Sequence, residues 1–284
     1  MTPDTMISRL RSLDSLPDAY YRVETLIADP YATVTAIADT LRGDPAMASR
    51  VLGVVNSAFY GFPTRVDTIP MAITIIGTRG LRDLMLGMSV TRAFRGIGTQ
   101  LVSMERFWEH AIYCGLMARA LGRENGQRDA EQLFLAGLFH DLGKLVIYHV
   151  MPNEAAALLR EFATSDRPLP ELEQRHLGCD HGEVGQALLR RWYLPELFQE
   201  AAACHHNPEQ ATLHPDTTAL VHAADALTRK VEPGYGFQPV DREPPIHPDV
   251  RPLIPQDPET IQRLRLTVDT ETVELYELLF TEPY

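Results

Sequence analysis

Residues 133–144 read LFLAGLFHDLGK, from Leu133 to Lys144. The run Leu133–Phe139 has the make-up of a buried segment, yet it leads straight into adjacent His140 and Asp141, then Gly143 and Lys144. An unpaired carboxylate in a protein interior is strongly destabilising, so the pair needs a partner there, and a metal ion is one candidate. What else reaches this point depends on the elements on either side.

Helical spacing of apolar residues dominates the flanking sequence, and period-two alternation is scarce. Upstream, Pro17 can open a helix carrying Val23, Leu26 and Ile27 that stops near Asp29-Pro30. Thr33 or Thr35 can cap a short helix that Gly43 ends. Pro45 to Val55 turns Met47, Val51, Leu52 and Val55 inward, and Asn56–Gly61 turns the chain. Ile69 to Ile76 reads as a short apolar helix, Gly77-Thr78 as a stop and a new cap, and Arg79 to about Phe94 as the next helix. Ser103 can cap a long helix through Arg123 that contains His110, and Asp129 can cap the one ending at His140-Asp141.

Further helices are expected at Pro152–Phe162, Glu171–Leu177, His181–Trp192, Pro195–His206 and Asp216–Lys230. Between Glu232 and Pro258, eight prolines and two glycines argue against a regular element, and the stretch reads as an extended wrap or linker. Two short helices follow, near Glu259–Leu264 and Glu271–Phe280. The expected fold class is all-α. A helical bundle fills residues 1–98, a second helical domain with most of the histidines fills 99–231, and a Pro-rich segment with C-terminal helices fills 232–284.

Asp and Glu number 38 against 26 Lys and Arg, a formal charge of −12, which argues against a nonspecific nucleic-acid or anionic-membrane binder. A hydrophobic content of 45% over 284 residues is enough for real cores. The three cysteines, Cys114, Cys179 and Cys204, show no CxxC spacing and imply a reducing, cytoplasmic setting. The N-terminus lacks the basic-then-apolar pattern of a signal peptide, and no stretch is expected to reach the ~20 apolar residues of a membrane span.

Of ten histidines, eight lie between His110 and His214 and none in the first 109 residues, which points the search for a site at that region. His110 is mid-helix among apolar neighbours, His181 follows Asp180 at a helix start, and His205 and His206 stand together at a helix end. Asp225 lies mid-helix between alanines, an odd place for a lone carboxylate. Imidazoles with one or two carboxylates, gathered from several helices, favour iron or manganese, with zinc as the alternative, over magnesium or calcium. Asp141 has a second oxygen that could reach a second ion. Lys144, one turn beyond, could contact a phosphate or simply form a surface salt bridge. His205-His206 could also be no more than positive charge at a helix C-terminus. His149, His176, His214, His222 and His247 are expected to be ordinary hydrogen-bonded histidines, with His222 the nearest rival ligand because it shares a helix face with Asp225.

The order His110, His140-Asp141, Asp225 resembles the HD superfamily of metal-dependent phosphohydrolases. With His181, His205 and His206 added, the set is similar to the dinuclear variant of the HD-GYP cyclic-di-GMP phosphodiesterases. The resemblance implies one ion on His110, His140, Asp141 and Asp225, and a second on His181, His205 and His206, bridged by Asp141. After His205-His206 the sequence runs NPEQATLHPDTTA, without the Gly-Tyr-Pro motif of that family's substrate-side loop.

In the N-terminal half, Asp44-Pro45, Val51-Leu52, Asn56-Ser57-Ala58-Phe59-Tyr60-Gly61, Ala72-Ile73 and Ile76-Gly77 resemble the HDOD domain, the HD-related output domain. This resemblance covers about residues 10–230. It implies a bacterial signalling output module, often attached to a response-regulator receiver, that acts on a partner protein such as a receiver domain or sensor kinase. Such domains are generally non-catalytic, but here every matching ligand position is filled. The alternative is therefore a phosphohydrolase acting on a nucleotide or cyclic dinucleotide, with Asp141 and Lys144 in catalytic roles. No receiver is expected within the chain, since nothing before Leu16 can supply an acidic pocket on a parallel sheet.

Overall fold

The computed structural model describes residues 1–10, 13, 15–95, 97, 101–127, 129–231 and 246–280. Among these residues every regular element is helical, so the chain is all-α. In order the helices are α1 (Pro3–Ser8), α2 (Asp18–Ala28), α3 (Val34–Arg42), α4 (Pro45–Val55), α5 (Ile69–Ala93), α6 (Met104–Glu124) and α7 (Ala130–Phe139). There follow α8 (Leu142–Val150), α9 (Pro152–Thr164), α10 (Leu169–Leu177), α11 (His181–Arg191), α12 (Glu196–Cys204), α13 (Pro215–Val231) and α14 (Pro258–Phe280).

Two compact units form, and they do not follow chain order. One joins Met1–Asp14 to Gly96–Val268 and carries the histidines; the other joins Ser15–Arg95 to Asp269–Tyr284. In the second unit the polar residues picked out in the sequence close turns and caps. Asp44 accepts the Met47 N–H at 3.1 Å as N-cap of α4, with Pro45 at the first helical position, and it also takes Arg92 Nη1 at 3.0 Å. The Asn56 amide donates to the Val66 carbonyl at 2.8 Å and accepts the Val66 N–H at 2.7 Å, so one side chain clamps the ten-residue excursion after α4. Gly77, at φ 75°, breaks α5 where a stop was expected, although the two halves continue as one element. Arg50 and Arg95 both donate to the Leu279 carbonyl, at 3.1 and 2.8 Å, and place positive charge at the C-terminal end of α14.

In the histidine unit α6 and α7 cross through glycines. A Cβ at Gly137 would lie 2.6 Å from the Gly115 Cα, and one at Gly115 would lie 2.5 Å from the Phe134 carbonyl oxygen. Only glycine permits that approach, and it brings the end of α7 against the middle of α6.

Several features differ from the sequence reading, α8 first, since it fills Leu142–Val150 where no helix was expected. Residues 3–8 form a capped helix where none was expected, with Met6, Ile7, Leu10 and Leu13 buried and the Trp192 indole donating to the Leu13 carbonyl at 2.8 Å. The C-terminal region is one helix, not two. Its buried positions Leu264, Val268, Glu271, Leu275 and Leu279 keep a single helical stripe through residues 265–270, where the two expected helices were separate. Part of the Pro-rich stretch is regular: Pro248–Leu253 is a 3-10 helix that buries Val250, while residues 232–245 lie outside the described residues. Finally, Ala130–Val150, which is α7 and α8 end to end, is long and apolar enough to cross a membrane, contrary to the expectation that no stretch would be, but it is mostly buried within the protein. Core helices on both faces of a crossing reach that composition without meeting lipid.

Replacing Gly137 by Ala should destabilise the histidine unit by about 1–3 kcal/mol through overpacking against Gly115. Chemical denaturation of the two proteins side by side measures this, and an unchanged midpoint would contradict the close crossing.

Candidate metal centre

The candidate ligands stand mostly at helix ends. His140 is the C-cap of α7 and Asp141 the N-cap of α8, so the pair occupies a junction between two helices and does not end one outright. His181 is the first residue of α11. There Asp180 and Glu183 form a capping box, with N–H to carboxylate distances of 2.9 and 3.0 Å. His205 is the C-cap of α12 and His206 follows it. His110 and Asp225 come from the middles of α6 and α13. Gly143 makes the junction fit: a Cβ there would collide with the His181 carbonyl oxygen and lie 2.6 Å from the Gly185 nitrogen.

All these side chains converge on Asp141, one group on each oxygen. Oδ2 lies 3.3 Å from His140 Nε2 and 3.6 Å from His110 Nε2, and Asp225 Oδ1 is 3.4 Å from the same His110 nitrogen. Oδ1 lies 3.3 Å from His181 Nε2 and 3.6 Å from His205 Nε2, with His206 Nε2 2.8 Å from His181 Nε2. His110, His140, His181, His205, Asp141 and Asp225 are buried, and His206 is part-exposed.

The outward ring nitrogens are tied down. His140 Nδ1 is 2.6 Å from the Gly137 carbonyl oxygen and His205 Nδ1 is 2.8 Å from that of Ala202. A carbonyl only accepts, so a proton sits on Nδ1 and each ring turns its Nε2 inward. Those inward nitrogens lie 3.4 Å apart in the pairs His110–His140 and His181–His205. Ring nitrogens this close around a carboxylate need positive charge among them, as a proton or as an ion.

The electrostatics agree. Burial opposes ionisation of Asp141, but His140 and then Lys144 hold its carboxyl well below the usual range. Burial likewise opposes a charged His140, yet the Asp141 carboxylate and then Cys114 hold it well above the usual imidazole range. Burial pushes His110 down, and burial with His140 and His181 pushes His205 well down. The cluster thus draws positive charge toward Asp141: His140 holds its proton more firmly than an ordinary imidazole, while His110 and His205 hold theirs less firmly. Asp141 Oδ1 is buried and makes no hydrogen bond. Imidazole nitrogens and carboxylate oxygens in this number suit a divalent transition metal, and the groups His110–His140–Asp225, His140–Asp141–His205 and His181–His205–His206 are each close enough to hold an ion.

Lys144 belongs to the cluster and is not a surface residue. Its side chain is 10% exposed, and Nζ lies 2.5 Å from Asp141 Oδ2. His222, the rival ligand, is engaged elsewhere: its Nδ1 is 2.7 Å from the His205 carbonyl oxygen and its Nε2 accepts the His247 N–H at 3.0 Å. His176 pairs with Glu161 on the surface at 2.7 Å, and His149 is exposed.

One residue escaped the sequence reading. Glu173 is fully buried on α10, and its Oε2 takes both the His181 N–H at 2.9 Å and the His181 Nδ1 at 2.6 Å. A carboxylate behind a ligand histidine fixes its tautomer and raises its basicity. The signal was present: Glu173 shares the buried face of α10 with Leu169, Leu172 and Leu177.

The family model of the HDOD domain matches residues 13–208 of the chain. A crystal structure of an HDOD domain protein of unknown function from Geobacter sulfurreducens is similar at a TM-score of 0.71 and 23% identity, covering 94% of this chain and 92% of that one. A Shewanella amazonensis protein, provisionally named a phosphohydrolase, is similar at a TM-score of 0.73 and 21% identity, covering 96% and 97%. Among curated relatives, an uncharacterised protein of Treponema pallidum is 26% identical over 204 residues, and ribonuclease Y of Thermus thermophilus is 29% identical over 195 residues. These matches take in 72% and 68% of this chain but only 39% and 28% of the relatives' own lengths.

Replacing Glu173 by Ala should weaken divalent-ion binding to the His181–His205–His206 group by about 10–100-fold. Calorimetric titration of manganese into the metal-stripped protein reads this directly, and unaltered binding would show that Glu173 does not support the ligand.

Proposed function

Since the chain belongs to the HDOD domain family, we propose that it is a bacterial signalling output module that binds one or two divalent metal ions in its histidine unit and acts by contact with a partner protein. The observation that carries this reading is the burial of the donors, of which only His206 is appreciably exposed. An ion held there ties together α6, the α7–α8 junction, α11, α12 and α13, so its presence is felt as helix packing more than as surface chemistry. His110, His140, Asp141 and Asp225 would hold one ion, and His181, His205 and His206 a second, with Asp141 shared. Iron or manganese suits the donor set, with zinc as the alternative.

The partner would be another signalling protein, such as a receiver domain or sensor kinase. The turn after α4, where Tyr60 and Phe62 stack with ring centroids 5.6 Å apart, is the surface we assign to it. A cytoplasmic location fits the three free thiols.

A second reading is a metal-dependent phosphohydrolase acting on a nucleotide or cyclic dinucleotide. What favours it is the complete donor set with a lysine beside the shared carboxylate, together with the likeness to a ribonuclease. Bound ions would supply Lewis acidity toward a phosphoryl oxygen and lower the pKa of water. Asp141 would position them and Lys144 would hold the phosphate. The net charge of −12 argues against a long nucleic acid as substrate.

Tag-free protein, purified without chelators or air, should carry about two equivalents of iron or manganese by mass spectrometry, and Asp141→Ala should lose both ions while the second unit stays folded by circular dichroism. Metal-replete protein should leave a panel of phosphomonoesters and phosphodiesters intact. Hydrolysis that Asp141→Ala abolishes would replace the output reading with the enzymatic one.

A further inference from the structure

Lys144 is placed where a lysine is least expected for stability alone. It is the third residue of α8, so its ammonium sits in the first turn, where the helix dipole favours negative charge. It is also buried, and a buried ammonium is costly unless paired. The chain otherwise relies on arginine for positive charge: of 26 basic residues only Lys144 and Lys230 are lysines. Arginine presents a broad fork, whereas lysine is a compact point charge on a flexible stem, the closest match among side chains to a small cation.

Its partner atom is specific. Lys144 Nζ lies 2.5 Å from Asp141 Oδ2, the oxygen that faces His110 and His140. The other oxygen, Oδ1, faces His181 and His205 and makes no hydrogen bond. The ammonium therefore occupies one half of the shared carboxylate and leaves the other open.

We propose that Lys144 is a built-in stand-in for a metal ion: it neutralises Asp141 in the metal-free protein and has to release Oδ2 when a divalent ion enters the His110–His140–Asp225 half. The proposal rests on the metal-binding reading above. Two cations cannot share that oxygen without strong repulsion in a low-dielectric site, so ion and ammonium compete. Binding is then ordered: the His181–His205–His206 half, which meets no resident cation on Oδ1, fills first, and the second ion must displace Lys144. The displaced ammonium reports that both halves are loaded.

The test is titration of manganese into the full-length, metal-stripped protein by calorimetry, for the wild type, Lys144→Met and Lys144→Arg. Lys144→Met should bind the second ion at least about fivefold more tightly, the low end of usual coupling between linked sites, while its metal-free form melts at a lower temperature. Lys144→Arg keeps the charge and should show no gain. Unchanged or weaker binding by folded Lys144→Met overturns the proposal, as does an equal gain in Lys144→Arg.

Should Lys144→Met fail to fold, the wild type still decides. With only Lys144, Lys230 and the N-terminus carrying amines, labelling with an amine-reactive reagent followed by peptide mass spectrometry reads Lys144 cleanly. Its labelling should rise on manganese loading; a constant or falling rate overturns the proposal. A folded wild type that takes up no manganese defeats the metal-binding reading itself, which is a different result from a wild type that binds while Lys144 stays in place.

Discussion

The histidine unit depends on one physical problem, the convergence of imidazole lone pairs on a buried carboxylate. His110, His140, His181 and His205 present ring nitrogens to Asp141 at 3.3–3.6 Å, and none of these side chains has water-facing surface to speak of. In a low-dielectric interior such an arrangement is poor unless positive charge sits in its middle. Everything nearby serves that arrangement. The carbonyls of Gly137 and Ala202 and the carboxylate of Glu173 hold the outer ring nitrogens. Gly143 and Gly137 let the helices come close enough for their ends to meet. A cluster held this firmly from behind keeps its inward nitrogens and the Asp141 carboxylate in the positions an ion would need.

The second unit solves a different problem with different means. Its turns are irregular, so their polar groups must be met locally. Asn56 does this by copying a backbone pairing onto Val66. Ser57 donates to the Val54 carbonyl at 2.7 Å and accepts the Phe59 N–H at 3.2 Å. Asp44 is shared between a helix cap and Arg92. The residues that carry the HDOD likeness are thus turn-makers, caps and buried apolar positions. They account for the shape of the unit without requiring chemistry there.

This division explains what the sequence let through. Helix starts were legible at Thr33 and Ser103 because a cap is a local signal, three residues from the group it satisfies. His140-Asp141 was legible because two polar residues interrupt an apolar run. The same local reading failed where the deciding contact is far along the chain. Residues 3–8 look unremarkable until Leu13 meets Trp192. Lys144 looks like a surface residue until Asp141 and the helices around it bury it. Glu173 is one acidic residue among many in a chain of net charge −12, and only its place against His181 marks it.

Lys144 also bears on how such a site is tuned. Metal affinity is the difference between the loaded site and the best arrangement the empty site can find. A resident ammonium improves the empty state and lowers affinity without altering any ligand. A protein that senses metal availability gains from this, because its threshold can be shifted at position 144 while the ligand geometry stays fixed. A purely structural site gains nothing, since its ion should bind as tightly as possible. An empty state stabilised on one half of Asp141 only is therefore better suited to a switch between ion counts than to a permanent structural ion, and it gives the output reading a physical basis in the charge of a single side chain.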